Sequence, residues 1–162
     1  MARQLPDTEP PARDPDDATV LAAVAEAWEW TGIEPARLLA RNAFGNLLIE
    51  DRVGTTWRIV PEELACEPVA DSAAERDALL SEPGFVEDWE MLRLVTVAIH
   101  TLGAPAPGRV FHLVHPAPLG GDYTPENMRI VPLLEQISFS GEVALQIRDL
   151  PDGAEVRLRV IE

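Results

Sequence analysis

The sequence contains no lysine, and all 13 of its basic residues are arginines. A phosphate-cradling loop of the G-x-x-x-x-G-K-[ST] kind needs a lysine to reach the phosphates, so that chemistry is excluded at once. Cysteine is almost absent as well. Cys66 stands alone, which rules out an intramolecular disulfide and any multi-cysteine metal site. Long apolar runs are missing too: nowhere do about 18 apolar residues follow one another, so nothing reads as a membrane-spanning helix. The amino terminus lacks a basic stretch followed by an apolar one, the pattern of a secretory signal, and a cytoplasmic location is expected.

What the chain lacks in basic charge it has in acid. Its 28 Asp and Glu residues against 13 Arg give a formal net charge of −15 over 162 residues. Such a surface repels nucleic acid and anionic membranes, which both present phosphate, and attracts a basic protein. The excess is concentrated. Between Glu62 and Glu90 lie ten acidic residues and one arginine, Arg76, a local charge of −9. Glu62, Glu63, Glu67, Asp71, Glu75, Asp77, Glu87 and Glu90 are therefore the candidate partner-binding face. A solvated acidic surface that serves only solubility explains the same residues equally well.

With 46% hydrophobic and 25% charged residues, the composition is that of one ordinary globular domain able to bury a core. Residues 1–16, with four prolines and few large apolar side chains, read as a disordered arm. The folded domain is expected over 17–162. Asp16 or Asp17 caps a first helix whose face is Val20, Leu21, Val24 and Trp28, closed by Gly32. "PARLLARN", opened by Pro35, reads as a short second helix. "NLLIED" and "TTWRIV" around "RVG" form a hairpin, and "PEELA" is a helical turn. Asp71 or Ser72 caps another helix. "GFVEDWEMLRLVTVAIHTLG" reads as one long central helix, buried on more than one side. "RVFHLVH" and "NMRIV" are strands, residues 132–150 are helical with a possible break near Ser138–Gly141, and "AEVRLRVIE" alternates like a final strand. The order points to an α+β fold, a mixed or antiparallel sheet packed against several helices.

No residue stands out as catalytic. Cys66 lies among acids, which disfavour a thiolate, and no G-x-S-x-G elbow occurs. His112 and His115 share a strand at odd spacing, which points them to opposite faces, so no metal site is expected. "LGGDY" (119–123) lacks the dinucleotide-loop spacing, and Asp122 would repel an anion, so no cofactor is expected either.

Four stretches in order carry more information than any of them alone: "NAFGNLLIEDRVGTTWRIVPEEL", "FVEDWEML", "PLGGDYTPENMRIV" and "QIRDLPDGAEVRLRV". Together, over roughly residues 42–162, they resemble the carboxy-terminal domain of the immunity-protein family encoded beside DNase toxins of bacterial type VI secretion systems. The signature positions are Phe44, Gly45, Asn46, Asp88, Trp89, Leu119, Gly120, Gly121, Tyr123, Asn127, Gln146, Ile147, Leu150, Pro151 and Gly153, and most of them read as structural. The resemblance implies a non-catalytic cytoplasmic protein that blocks a nuclease toxin by occupying it. A nuclease groove is basic because it holds phosphate, so an acidic partner suits it. A regulatory or scaffold module of the same fold, as in the wider yeast cell-wall regulator-like superfamily, and a small enzyme with an unrecognised site stand as alternatives. An enzyme is expected to show a cleft with converging polar groups and perturbed titratable residues, and a binding protein to lack one.

Overall fold

Asp16 accepts a hydrogen bond from the Thr19 amide at 2.8 Å and so starts the first helix, α1 (Asp17–Trp28). In the computed structural model, which describes residues 12–159, the chain then runs through β1 (Pro35–Arg41), β2 (Leu47–Asp51), β3 (Thr56–Val60) and β4 (Ala65–Ala70). Helices α2 (Ala73–Leu80), α3 (Pro83–Glu90) and α4 (Leu92–Leu102) follow, then β5 (Arg109–Leu113), β6 (Met128–Pro132) and α5 (Leu133–Ile147). The strands form two antiparallel sheets, β1-β2-β3-β4 and β5-β6, and the fold is α+β. Residues 1–11 of the expected arm lie outside the described residues. Asp14, just beyond them, accepts from Gly108 N–H at 2.6 Å and pairs with Arg41 at 3.0 Å.

Two apolar clusters hold the elements together. In the first, Val20, Val24 and Trp28 of α1 and Leu133 and Ile137 of α5 pack on Leu47, Ile49 and Ile59 of the larger sheet. The second joins Phe44, Phe111, Leu113 and Met128 to Ala98 of α4. Gln136 connects the two, its buried amide donating to the carbonyls of Phe44 and Phe111 at 3.2 and 3.0 Å. The β2–β3 turn is built by Asp51, whose carboxylate accepts from the amides of Val53 and Thr55 and from the Trp57 indole.

The structure corrects five local expectations. "PARLLARN" is the edge strand β1: it pairs with β2, sets Arg37 opposite Glu50, and keeps Pro35 as first residue, where no ladder donor is needed. The strand β4 was not foreseen, because Pro68 interrupts its sequence pattern; as an edge strand with a bulge it tolerates the proline. The long central helix is two helices, broken at Met91 with φ +49°. Nor is its second half buried on more than one side: of α4 only Ala98 is fully buried, while Leu92, Val97 and Ile99 are exposed. Helix α5 runs unbroken, with the Ser140 hydroxyl returned to the Gln136 carbonyl and Gly141 against Ala27 of α1. Finally, residues 154–159 are irregular and exposed, because alternation makes a strand only where another strand offers an edge; the last three residues of that expected strand lie outside the described ones.

Candidate functional site

A cleft of about 580 Å³ opens where β3, the turn at Pro61–Glu63, the α3–α4 corner and Tyr123 meet. Its organising residue is Arg58. The guanidinium sits 5.5 and 5.4 Å from the ring centres of Phe85 and Trp89, which themselves stack 6.4 Å apart. It donates to Asp88 at 2.6 Å and to Asn46 Oδ1 at 3.0 Å. Asn46 is fully buried and turns its amide nitrogen to both Glu62 oxygens, at 3.0 and 2.9 Å. Glu62, Asn46, Arg58 and Asp88 thus form one chain of contacts from the buried end of the cleft to its exposed rim.

Burial sets the chemistry of Glu62. Only 5% exposed, its carboxyl is pushed up to about 7, first by desolvation and further by the neighbouring Glu63 charge, against the Asn46 hydrogen bond. Across the cleft the Tyr123 hydroxyl donates to Glu63 at 3.1 Å. Desolvation, then the charges of Glu62 and Glu63, raise the Tyr123 pKa well above its ordinary value, so it remains a donor.

The backbone around the cleft is fixed by two other asparagines. Asn42 accepts from the amides of Phe44 and Asn46 and donates to the Trp89 carbonyl at 2.9 Å, tying the F-G-N turn to the end of α3. Asn127 exchanges hydrogen bonds with both backbone groups of His115 and donates to the Asp122 carbonyl, each at 2.9 Å. Gly121 lies inside this knot, where an added Cβ would overlap the His115 carbonyl oxygen. Gly45 is held at φ +74° against Gln136, a place open only to glycine.

The signature residues therefore separate into groups. Asn46, Asp88, Trp89 and Tyr123, far apart in sequence, come together at the cleft. Phe44, Gly45, Gly120, Gly121 and Asn127 build turns and core around it. Gln146, Pro151 and Gly153 are exposed at and beyond the end of α5 and line none of it. Of the acidic face, Glu63, Glu67, Asp71, Glu75, Asp77, Glu87 and Glu90 are exposed along β4, α2 and α3. Glu62 is not: it is buried and is no surface charge. Glu75 also has a local duty, since it receives the Asp71 amide at 2.7 Å while Ser72 caps α2. Arg58 and Asn42 were missed by sequence reasoning. Their only signals were an arginine inside a strand and an asparagine two residues before F-G-N.

The expectation that a binding protein lacks a cleft of converging polar groups is not met here. The cleft also holds two titratable groups displaced from their ordinary range, Glu62 and Tyr123, as the enzyme alternative requires; Glu62 and Arg58 are both tied to Asn46. Elsewhere, Cys66 is half-buried with its thiol pushed up to about 11, mainly by burial. Burial also lowers His112, which packs edge-on against Phe139 at 5.4 Å. Among the described residues no three His, Cys, Asp or Glu side chains group as metal ligands, and no helix is long and apolar enough to cross a membrane.

Residues 71–144, from the α2 cap into α5, match the family model described as T6SS immunity protein Tdi1, C-terminal. This is the family the motifs resemble. The matched segment carries Asp88, Trp89, Gly120, Gly121, Tyr123 and Asn127, whereas Phe44, Gly45 and Asn46 lie before it and Gln146, Pro151 and Gly153 after it. The fold is similar to a solved protein, given as the crystal structure of Atu4351 from Agrobacterium tumefaciens. That likeness has a TM-score of 0.53 at 19% identity and covers 80% of this chain but 65% of the other, less than two thirds of its length. No curated protein matches the sequence.

Proposed function

We propose that this chain, which carries a segment of the type VI secretion immunity family in residues 71–144, is a non-catalytic cytoplasmic protein that neutralises a secreted bacterial toxin by occluding it. The toxin is of the nuclease class. The observation that carries this reading is the coincidence of the family segment with the acid-rich stretch. The exposed carboxylates Asp71, Glu75, Asp77, Glu87 and Glu90 all fall inside the matched residues, with Glu63 and Glu67 just before them. A nuclease groove must be basic to hold phosphate, and a partner of opposite charge both fills it and is steered to it.

Co-expression tests the role directly once the neighbouring genes are searched for a nuclease toxin: cells carrying that nuclease survive if the reading is right and die if it is wrong. Stopped-flow association with that nuclease tests the occlusion physics. The on-rate is expected to fall about tenfold or more between low and high salt; a rate indifferent to ionic strength removes the acidic face from the encounter.

A further inference from the structure

The acidic stretch accounts for long-range attraction, but not for the cleft, which is a shaped cavity with its own composition. Its size lies within the range of roughly 300–1,000 Å³ typical of ligand pockets. Arg58, the cation deepest in it, is already committed, paired with Asp88 and held against two aromatic faces. With the buried Glu62 set aside, the lining residues Arg58 and Arg93 against Glu63, Glu87 and Asp88 sum to a formal −1, and to −2 when Glu62 is ionised as well. Glu63 and Glu87 are exposed and form no ion pair among the described residues. The lining is also apolar in part: Met91, whose amide donates to the Glu87 carbonyl one turn earlier, Leu92 and Leu94, with Leu92 64% exposed at the first position of α4.

We propose that this cleft receives one basic side chain, arginine or lysine, presented by a protein partner next to an apolar residue. Carboxylates and methylenes side by side in one cleft match the two parts of such a side chain, whose charged head and apolar stem prefer different surroundings. The head meets Glu63 and Glu87 while the stem and its apolar neighbour cover Leu92 and Met91. The site is preorganised, because Tyr123 holds Glu63 and the Asn42–Trp89 contact fixes the corner that exposes Leu92. An anionic ligand is disfavoured by the net acid of the lining: Asp88 neutralises Arg58, and Glu63 and Glu87 outnumber the exposed Arg93. The proposal deepens the immunity reading and rests on it only for the identity of the partner.

The test uses the full chain, nitrogen-15 labelled, titrated with the capped tripeptide acetyl-Leu-Arg-Leu-amide and with its neutral citrulline counterpart. Amide shifts are expected around residues 58–63, 87–94 and 123, together with the Trp89 indole. The citrulline peptide is expected to bind about tenfold more weakly. A Glu63→Gln, Glu87→Gln double variant, altering two exposed side chains, keeps its melting temperature and loses the preference for arginine. Equal response to both peptides, an undiminished preference in the double variant, or no local response at roughly 1 mM overturns the proposal. The outcome is separable from toxin neutralisation. Protection of cells without an arginine preference removes the cleft's role and keeps the immunity role, and an arginine preference without protection does the reverse.

Discussion

Helices α1 and α4 are nearly equal in length and both rich in apolar side chains, yet they are used in different ways. In α1, Val20, Val24 and Trp28 are at most 1% exposed, wedged between α5 and the four-stranded sheet. In α4 only Ala98 is fully buried, while Leu92, Val97 and Ile99 remain 43–64% exposed. Apolar content therefore does not measure burial. The first helix spends its apolar face on stability; the other leaves part of its face at the rim of a charged cleft, where a partner's surface would cover it.

The largest effect that tests this contrast is in the first core. Trp28→Ala, at a residue with no exposed surface, is expected to cost about 3–5 kcal/mol in chemical denaturation. A loss below 1 kcal/mol would mean that α1 is not a principal support of the fold. Next in size is a pH effect at the cleft. Folding raises the Glu62 pKa from 4.5 to about 7, so the folded state holds a proton that the unfolded chain releases. That contribution is full below about pH 4.5, is lost as pH rises towards 7, and amounts to roughly 3 kcal/mol across the window. Glu62→Gln removes it. Subtracting the variant's stability–pH curve from that of the wild type should leave a decline of this size, and a flat difference would show Glu62 to be ionised in the folded protein.

Smaller again is Gly121→Val. It forces a side chain against the His115 carbonyl oxygen inside the Asn127 knot and should lose about 2 kcal/mol or more by thermal melting. An unchanged melting temperature would show that the turn relaxes at little cost. The smallest expected effect is the sharpest counterpart of Trp28. Leu92→Ser should change stability by no more than about 0.5 kcal/mol while weakening the capped arginine peptide. A large loss of stability would place Leu92 in the core and close the apolar wall of the cleft.

Much of the fold was legible in local signals. Asp16 and Ser72 cap their helices within three residues, and the Asp51–Gly54 turn closes within four. The failures have one physical cause. "PARLLARN" has a helix's opening proline and a helix's leucines, and only the neighbouring β2 makes it a strand. The stretch through Met91 has helical spacing throughout, and the break depends on Asn42, forty-seven residues earlier, taking the Trp89 carbonyl. Within the candidate site, the exposed carboxylates were readable as charge. The burial of Glu62 was not, because a glutamate beside another glutamate at a turn looks solvated until its surroundings are known.

By itself the sequence determined the acidity, the absence of lysine and cysteine chemistry, the capped helices and tight turns, and the motifs that point to the immunity family. Those follow from composition and from contacts within about four residues. Tertiary structure alone decided that Arg58 meets Asp88 across 30 residues, that Tyr123 reaches Glu63 across 60, and that the Glu62 carboxyl, at the end of a cleft, is pushed up to about 7. A carboxyl's charge depends on how much water surrounds it, and that is known only when the chain has folded around it.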